Sequence, residues 1–170
     1  MVKKGYAFGI DLGGTKIQIL KVDSQGKALG SLKIPTEVKQ GAPIIIKSLI
    51  KAIKTLSTEG LPPLGVGVGV AGQIEEGTGK VLFGPNLKWK DVPLGDLLRK
   101  GLKTDVFITN DVRSATIGEM AYGSGQGVSH LLSIFVGTGI GGCIVIDGEI
   151  LNGPSNTAGE IGHIDRKSVV

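Results

Sequence analysis

Cysteine is nearly absent from this chain: Cys143 is the single one in 170 residues. A chain of this length buries about 70% of its unfolded surface and has no need of disulfide staples. Cys143 stands in the apolar run Cys-Ile-Val-Ile, where it reads as a small buried hydrophobe in preference to a nucleophile. Aromatic residues make up only 4% of the chain, and no arginine cluster is interleaved with them. The surplus of 19 basic over 15 acidic side chains, a net charge of +4, is mostly dispersed lysine. That pattern argues for a solvated face and against nucleic-acid binding, and it suits an anionic small ligand equally well. No apolar run reaches the ~18 residues of a membrane span, and no basic segment followed by an apolar stretch opens the chain. Neither a membrane segment nor a signal peptide is expected, and the cytoplasm is the expected compartment. What is abundant is glycine, with 29 residues, beside an ordinary 41% hydrophobic and 20% charged content. The glycines fall at the ends of apolar segments, which marks tight turns in a globular domain.

The most informative of these glycines lie in Gly9-Ile-Asp-Leu-Gly-Gly-Thr-Lys-Ile17. Tyr6 to Ile10 reads as a strand and Ile17 to Val22 as its return, which puts Asp11, Gly13, Gly14, Thr15 and Lys16 at a hairpin tip. Paired glycines allow φ > 0 and let a phosphate approach the main-chain N–H groups without a Cβ in the way. A plain Gly-Gly hairpin turn is the alternative; it requires neither an aspartate two positions earlier nor a threonine immediately after. The device recurs, because Leu132 to Gly153 can be laid over Phe8 to Gly30 as strand, glycine turn, strand and a further short apolar segment. Gly137, Thr138 and Gly139 would then form a second phosphate loop. An internal repeat outranks a single motif as evidence of architecture. Two glycine-tipped hairpins are the parts needed to clamp a nucleotide's phosphates from both sides, as in the actin-like, ribonuclease-H-like ATPase fold.

Between the hairpins the pattern is α/β. A third strand is predicted over Ala28 to Ile34 and an amphipathic helix from Pro43 to about Ser57, carried by Leu49, Ile50, Ile53 and Leu56. Leu64 to Val70 reads as a buried strand and Val81 to Phe83 as a short excursion ending at Trp89. Pro93 to Leu102 reads as a helix, Asp105 to Thr109 as a strand, and Val112 to Tyr122 as a helix. The second unit's strands begin at Ser129. Gly67-Val-Gly-Val-Ala-Gly72 and Gly137-Thr-Gly-Ile-Gly-Gly142 both match the dinucleotide fingerprint G-x-G-x-x-G, which must open a helix. The first is followed by a turn-rich segment and the second by a strand, so both are rejected, and no Walker A sequence is present.

The ordered set Asp11-Leu-Gly-Gly-Thr-Lys, Gly67-Val-Gly-Val-Ala-Gly-Gln-Ile, Gly84-Pro-Asn-Leu-Lys-Trp, Asn110-Asp111, Gly137-Thr-Gly-Ile-Gly-Gly and Ala158-Gly-Glu-Ile-Gly-His163 resembles the ROK family (repressors, open reading frames and kinases), in particular its glucokinase-like sugar kinases. The resemblance runs from Tyr6 to His163 and implies a complete ribonuclease-H-like unit over residues 1–122. Residues 123–170 would be a truncated start of the second domain. It implies ATP-dependent phosphorylation of a hexose hydroxyl, glucose favoured, with ATP and Mg²⁺. Such chemistry needs aligned phosphates, a metal, and a carboxylate to take the hydroxyl proton. By spacing alone, Asn110 and Asp111 read first as the cap of the following helix; the resemblance reverses that reading and makes Asp111 the carboxylate. Asp11 would lie near the metal, through water, while Gly13, Gly14, Thr15, Lys16, Gly137, Thr138 and Gly139 hold phosphate.

Sugar contacts carried over by the resemblance are Gly72, Asn86, Asn110, Asp111, Glu160 and His163, although Asn86 and His163 taken singly read as structural residues and only the motif match raises them. The histidine that matches His163 is also a zinc ligand in the family. Without three thiolates the usual tetrahedral site cannot form, so no zinc is expected. Val112 and Arg113 depart from the Ala and Asn common after the Asn-Asp pair. A non-catalytic remnant with weak ligand binding is the competing reading. A repressor is disfavoured, because only ten residues precede Asp11, too few for a DNA-binding segment. Association into a homo-oligomer stays open.

Overall fold

The computed structural model describes residues 5–137 and 139–163, and the chain divides into two compact units between Asp111 and Val112. The first opens with β1 (Tyr6–Leu12), β2 (Lys16–Asp23) and β3 (Ala28–Pro35), followed by helix α1 (Ala42–Leu56) and β4 (Val66–Val70). A small excursion, β5 (Gln73–Glu75), β6 (Lys80–Gly84) and β7 (Trp89–Val92), leads to helix α2 (Leu94–Leu102) and β8 (Val106–Asn110). The main sheet has the order β3-β2-β1-β4-β8. β1, β2 and β3 pair antiparallel as a meander, whereas β4 runs parallel to β1 and β8 parallel to β4. Parallel neighbours require crossovers, and α1 and α2 lie in those connections.

The core follows from two periodicities. Tyr6, Phe8, Ile10 and Leu12 alternate inward along β1, joined by Ile17 and Ile19 of β2 and by Val66, Val68 and Val70 of β4. Ile45, Ile46, Leu49, Ala52 and Ile53 supply the buried face of α1, and Leu94 and Leu98 that of α2, all in the same cluster. Helix α1 starts where glycine is needed: Gly41 has φ 80°, and a proline follows within the first turn, where its missing N–H costs nothing.

The excursion differs from its reading as a turn-rich segment. Gln73–Glu75 is a strand paired with β6, and Ile74 is buried. Only the tip turns, through Gly77 and Gly79 at φ 81° and 72°, so the glycine signals of a short hairpin overlie its strand signal. In β7 Trp89 is buried, and its indole N–H finds no acceptor among the described residues.

Helix α3 (Asp111–Tyr122) leads into β9 (Leu131–Val136), β10 (Ile140–Ile146) and β11 (Glu149–Ile150), a sheet of order β11-β10-β9. The meander of the first unit is thus repeated. The second hairpin is one residue shorter, since Leu12 pairs with Ile17 but Val136 with Ile140. The sequence reading groups α3 with the first unit, whereas its contacts draw all but its first residue into the second. A Cβ on Gly141 would meet Val112 at 2.5 Å, and Arg113 reaches Asn152. Leu132, Ile134 and Val136 face outward on β9. Leu49 is fully buried at the centre of α1, so Leu49→Ala should cost about 2–5 kcal/mol. Urea denaturation would report this as a lower midpoint at unchanged slope.

Candidate functional site

Parallel pairing brings three strand ends into one row: Leu12 of β1 lies beside Val70 of β4, and Val70 beside Asn110 of β8. Ligands in open α/β sheets bind beyond the carboxyl ends of parallel strands. The residues that leave this row are the Gly13–Lys16 tip, Ala71-Gly72 and Asp111. The tip is closed by Gly13 N–H donating to the Lys16 carbonyl at 3.1 Å. It is braced from β3's end, where the Thr36 hydroxyl donates to the Gly13 carbonyl at 2.7 Å and Thr36 N–H to the Thr15 carbonyl at 3.0 Å.

Gly13 and Gly14 do not use the freedom to take positive φ; neither is among the left-handed glycines. Space dictates Gly14 instead. A Cβ there would stand 2.5 Å from the Asn86 carbonyl oxygen, so glycine lets the hairpin tip rest against the Pro85–Leu87 turn. That turn holds Asn86 exposed while Leu87 is buried beneath it, and it ends in Lys88 with φ 56°. Gly72 is constrained likewise, with the Phe83 carbonyl 2.4 Å from a Cβ position. The Gly72 carbonyl accepts the Asn110 side-chain amide at 3.3 Å, and Asp111 is the first residue of α3. Asp11, the hairpin tip, Gly72, Asn86, Asn110 and Asp111 are therefore linked within the first unit. Asp11 is exposed on β1, yet its carboxyl is held above the usual range. Loss of surrounding water is the main cause, the Asp111 charge adds to it, and Lys16 opposes both.

In the second unit Gly137 N–H donates to the Gly139 carbonyl at 2.9 Å. Both glycines face open space, and Thr138 lies outside the described residues. In the overlay of the two hairpins Phe135 stands where the first has Asp11, so the repeat does not duplicate the carboxylate. Glu160 is half-buried, and its N–H donates to the Thr157 carbonyl at 3.3 Å. The 3-10 turn Ile161–His163 follows; the side chain of His163, and the following stretch expected to lack the family's zinc cysteines, lie outside the described residues. Cys143 is fully buried on β10, and burial pushes its thiol up, which suits a packing role. β5 follows Gly72 and β10 continues past Gly142, so neither G-x-G-x-x-G match opens a helix.

Sequence reasoning missed Thr36, the brace of the hairpin tip, whose one signal is a polar residue just after the alternating Leu32-Lys-Ile34 run and Pro35. Two cavities of the first unit hold none of the candidate residues. One of about 500 Å³ is walled by Ile46, Ile50, Val92 and Leu97, and one of about 330 Å³ lies between α1 and the β2–β3 side of the sheet. Among the described residues no cluster of three or more His, Cys, Asp or Glu is placed to hold a metal. No described helix is long and apolar enough to cross a membrane.

A glycine-tipped hairpin on a β3-β2-β1-β4-β8 sheet, followed by a second meander, defines an α/β protein of the actin-like ATPase fold. The chain belongs to the ROK family, which it matches over residues 7–169. It is 39% identical to a glucokinase from Halalkalibacterium halodurans, over 92% of this chain and 48% of that protein. It is 36% identical to a putative xylose repressor from a Caldicellulosiruptor species, over 94% of this chain and 41% of that one. A ROK family glucokinase from Streptomyces griseus, solved in complex with glucose and AMPPNP, superimposes with a TM-score of 0.85 at 36% identity; 95% of this chain and 51% of that one are covered. The chain thus spans about half the length of these relatives.

Two substitutions test this geometry. Gly14→Ala should lower the thermal midpoint because the Asn86 backbone must yield, whereas Gly137→Ala, which faces open space, should leave it unchanged. The pKa of Asp11 is raised above 3.8 by folding, so its contribution is most favourable below that pH and is lost as pH rises through the folded value. Asp11→Asn should therefore leave stability equal or higher at pH 7, and any gain over wild type should vanish at pH 3, as thermal melts at the two pH values would show.

Proposed function

We propose that this chain carries the sugar-binding and phosphate-binding half of a glucokinase-like hexose kinase. The observation that supports the reading is the convergence of a carboxylate, a glycine-tipped loop and three amide or carboxylate side chains around the ends of β1, β4 and β8. Polyols require directional partners, because each buried polar group left unpaired costs about 1–3 kcal/mol. Gly72, Asn86, Asn110 and Asp111 supply such partners in the first unit, and Glu160 and His163 are the proposed contacts from the second. Gly13, Gly14, Thr15 and Lys16, with Gly137, Thr138 and Gly139, would face the phosphates of ATP.

Asp111 is the proposed general base: it would accept the proton of the attacking sugar hydroxyl, and Asn110 would orient that hydroxyl. Lys16, close enough to lower the Asp11 pKa, adds positive charge beside the loop. Two neighbouring carboxylates form a hard-oxygen donor set that fits Mg²⁺, which typically binds one or two carboxylates together with substrate phosphates. Asp11, directly or through water, would hold the ion, whose role is to neutralise charge on the transferred phosphoryl group.

A second reading, sugar binding without phosphoryl transfer, is favoured by the xylose repressors among the relatives, which match the same stretch of chain. Titration calorimetry with glucose and an Mg–ATP turnover assay separate the two. The kinase reading expects glucose binding weakened by Asn110→Ala. It also expects kcat lowered by about two to four orders of magnitude in Asp111→Asn, with folding intact, measured in a chimaera carrying the remaining half of the Halalkalibacterium halodurans glucokinase. Unchanged turnover in that variant removes Asp111 from the base role, and sugar binding with no turnover in the unmutated chimaera favours the second reading. The outward Leu132, Ile134 and Val136 are also proposed to draw copies of the isolated chain together; light scattering should show species larger than a monomer, and a monodisperse monomer would contradict it.

A further inference from the structure

Arg113 is one of the few buried polar or charged residues among the described ones, 3% exposed, and it stands where the family resemblance leads one to expect a small amide. A buried guanidinium is costly unless its planar fork of donors is satisfied. Here Nη1 donates to Asn152 Oδ1 at 2.9 Å and to Asn156 Oδ1, and Nη2 reaches the Asn152 carbonyl at 3.5 Å. That carbonyl also accepts the Ala158 N–H at 3.1 Å, so one side chain binds both ends of a tight loop. The loop turns through two left-handed positions, Gly153 at φ 69° and Asn156 at φ 57°, a region that glycine enters freely and that asparagine tolerates better than most side chains. Directly after it, Gly159 packs on β10, where a Cβ would meet the Gly142 carbonyl at 3.1 Å, and Glu160 follows. The buried Cys143 thiol feels the charges of both Arg113 and Glu160, which places the two on the same small neighbourhood of the unit.

We propose that Arg113 is a positioning residue: its buried guanidinium fixes the Asn152–Asn156 loop and, through that loop, the placement of Glu160. Arg113 stands two residues after Asp111 on α3, so it ties the helix that begins at the proposed base to the segment that carries a proposed sugar contact. The loop anchor stands on geometry alone; its consequence for hexose recognition rests on the sugar-kinase reading. A lysine keeps the charge but loses the fork that reaches two asparagines at once, so Arg113→Lys is informative without leaving a cavity, and Asn156→Ala removes an acceptor while keeping the arginine.

Hydrogen exchange on the purified chain reads the anchor. Both variants should speed exchange of the amides from Gly153 to Glu160 by about tenfold or more, and leave those of β10 within about twofold of wild type. Unchanged exchange over that segment in both variants, or an equal rise along β10, overturns the proposal. Glucose calorimetry reads the consequence: Arg113→Lys should weaken binding about fivefold or more, and should add nothing in a Glu160→Ala background. A full additional loss in that background means that Arg113 does not act through Glu160 and overturns that part. If the chain binds no glucose, or Glu160→Ala leaves binding unchanged, the sugar assignment of Glu160 fails, while hydrogen exchange still decides the anchor.

Discussion

Alternation along β1 is the constraint on which the candidate site depends. Ile10 and Leu12 are buried in the core while Asp11 between them is exposed, so the packing that secures the strand also fixes the carboxylate's direction. A slip of one residue would drive Asp11 into the apolar layer and expose its neighbours, which the core beneath α1 does not tolerate. The same register aligns Leu12, Val70 and Asn110. Hydrophobic burial thus positions polar groups that make no contribution to the core themselves, and the raised carboxyl of Asp11 is the cost of gathering them.

The two meanders share a topology but not a chemistry. The first has a carboxylate, a braced tip and a turn pressed against Gly14; the second has a shorter hairpin, glycines facing open space and a phenylalanine in place of the aspartate. In the proposed reading Asp111 is the base and Asp11 the metal-side carboxylate, both within the first unit. The small β5-β6-β7 sheet carries Asn86 on the turn between β6 and β7 and brings it against the first hairpin.

Much of the fold was legible because its signals are periodic and uninterrupted. The strands from Tyr6 and Ile17, the helix from Pro43 and the buried Leu64–Val70 run stand close to where β1, β2, α1 and β4 lie, and the repeat of the hairpin is reproduced in β9 and β10. β5 was hidden because three residues between Gly72 and the turn that carries Gly77 and Gly79 show too little pattern. The Gly13-Gly14 pair shows a different limit: a sequence reveals that a Cβ is unwelcome but not why, and here the reason is a peptide brought near by a segment some seventy residues away, not a left-handed φ. Thr36 and Arg113 were invisible as supports, since their partners come from remote loops. The roles of the site residues were read through the family's motifs; nine of those residues, from Asp11 to Asp111, fall within the first unit, and their roles are proposals.

The central claim is that hexose binds at the ends of β1, β4 and β8. Amide chemical-shift mapping on the isotope-labelled chain during a glucose titration tests it most directly. The account predicts saturable shifts concentrated at Gly13, Gly14, Gly72, Asn86, Asn110 and Asp111. Shifts confined instead to the apolar cavity walled by Ile46, Ile50, Val92 and Leu97, or none at millimolar glucose, would contradict it.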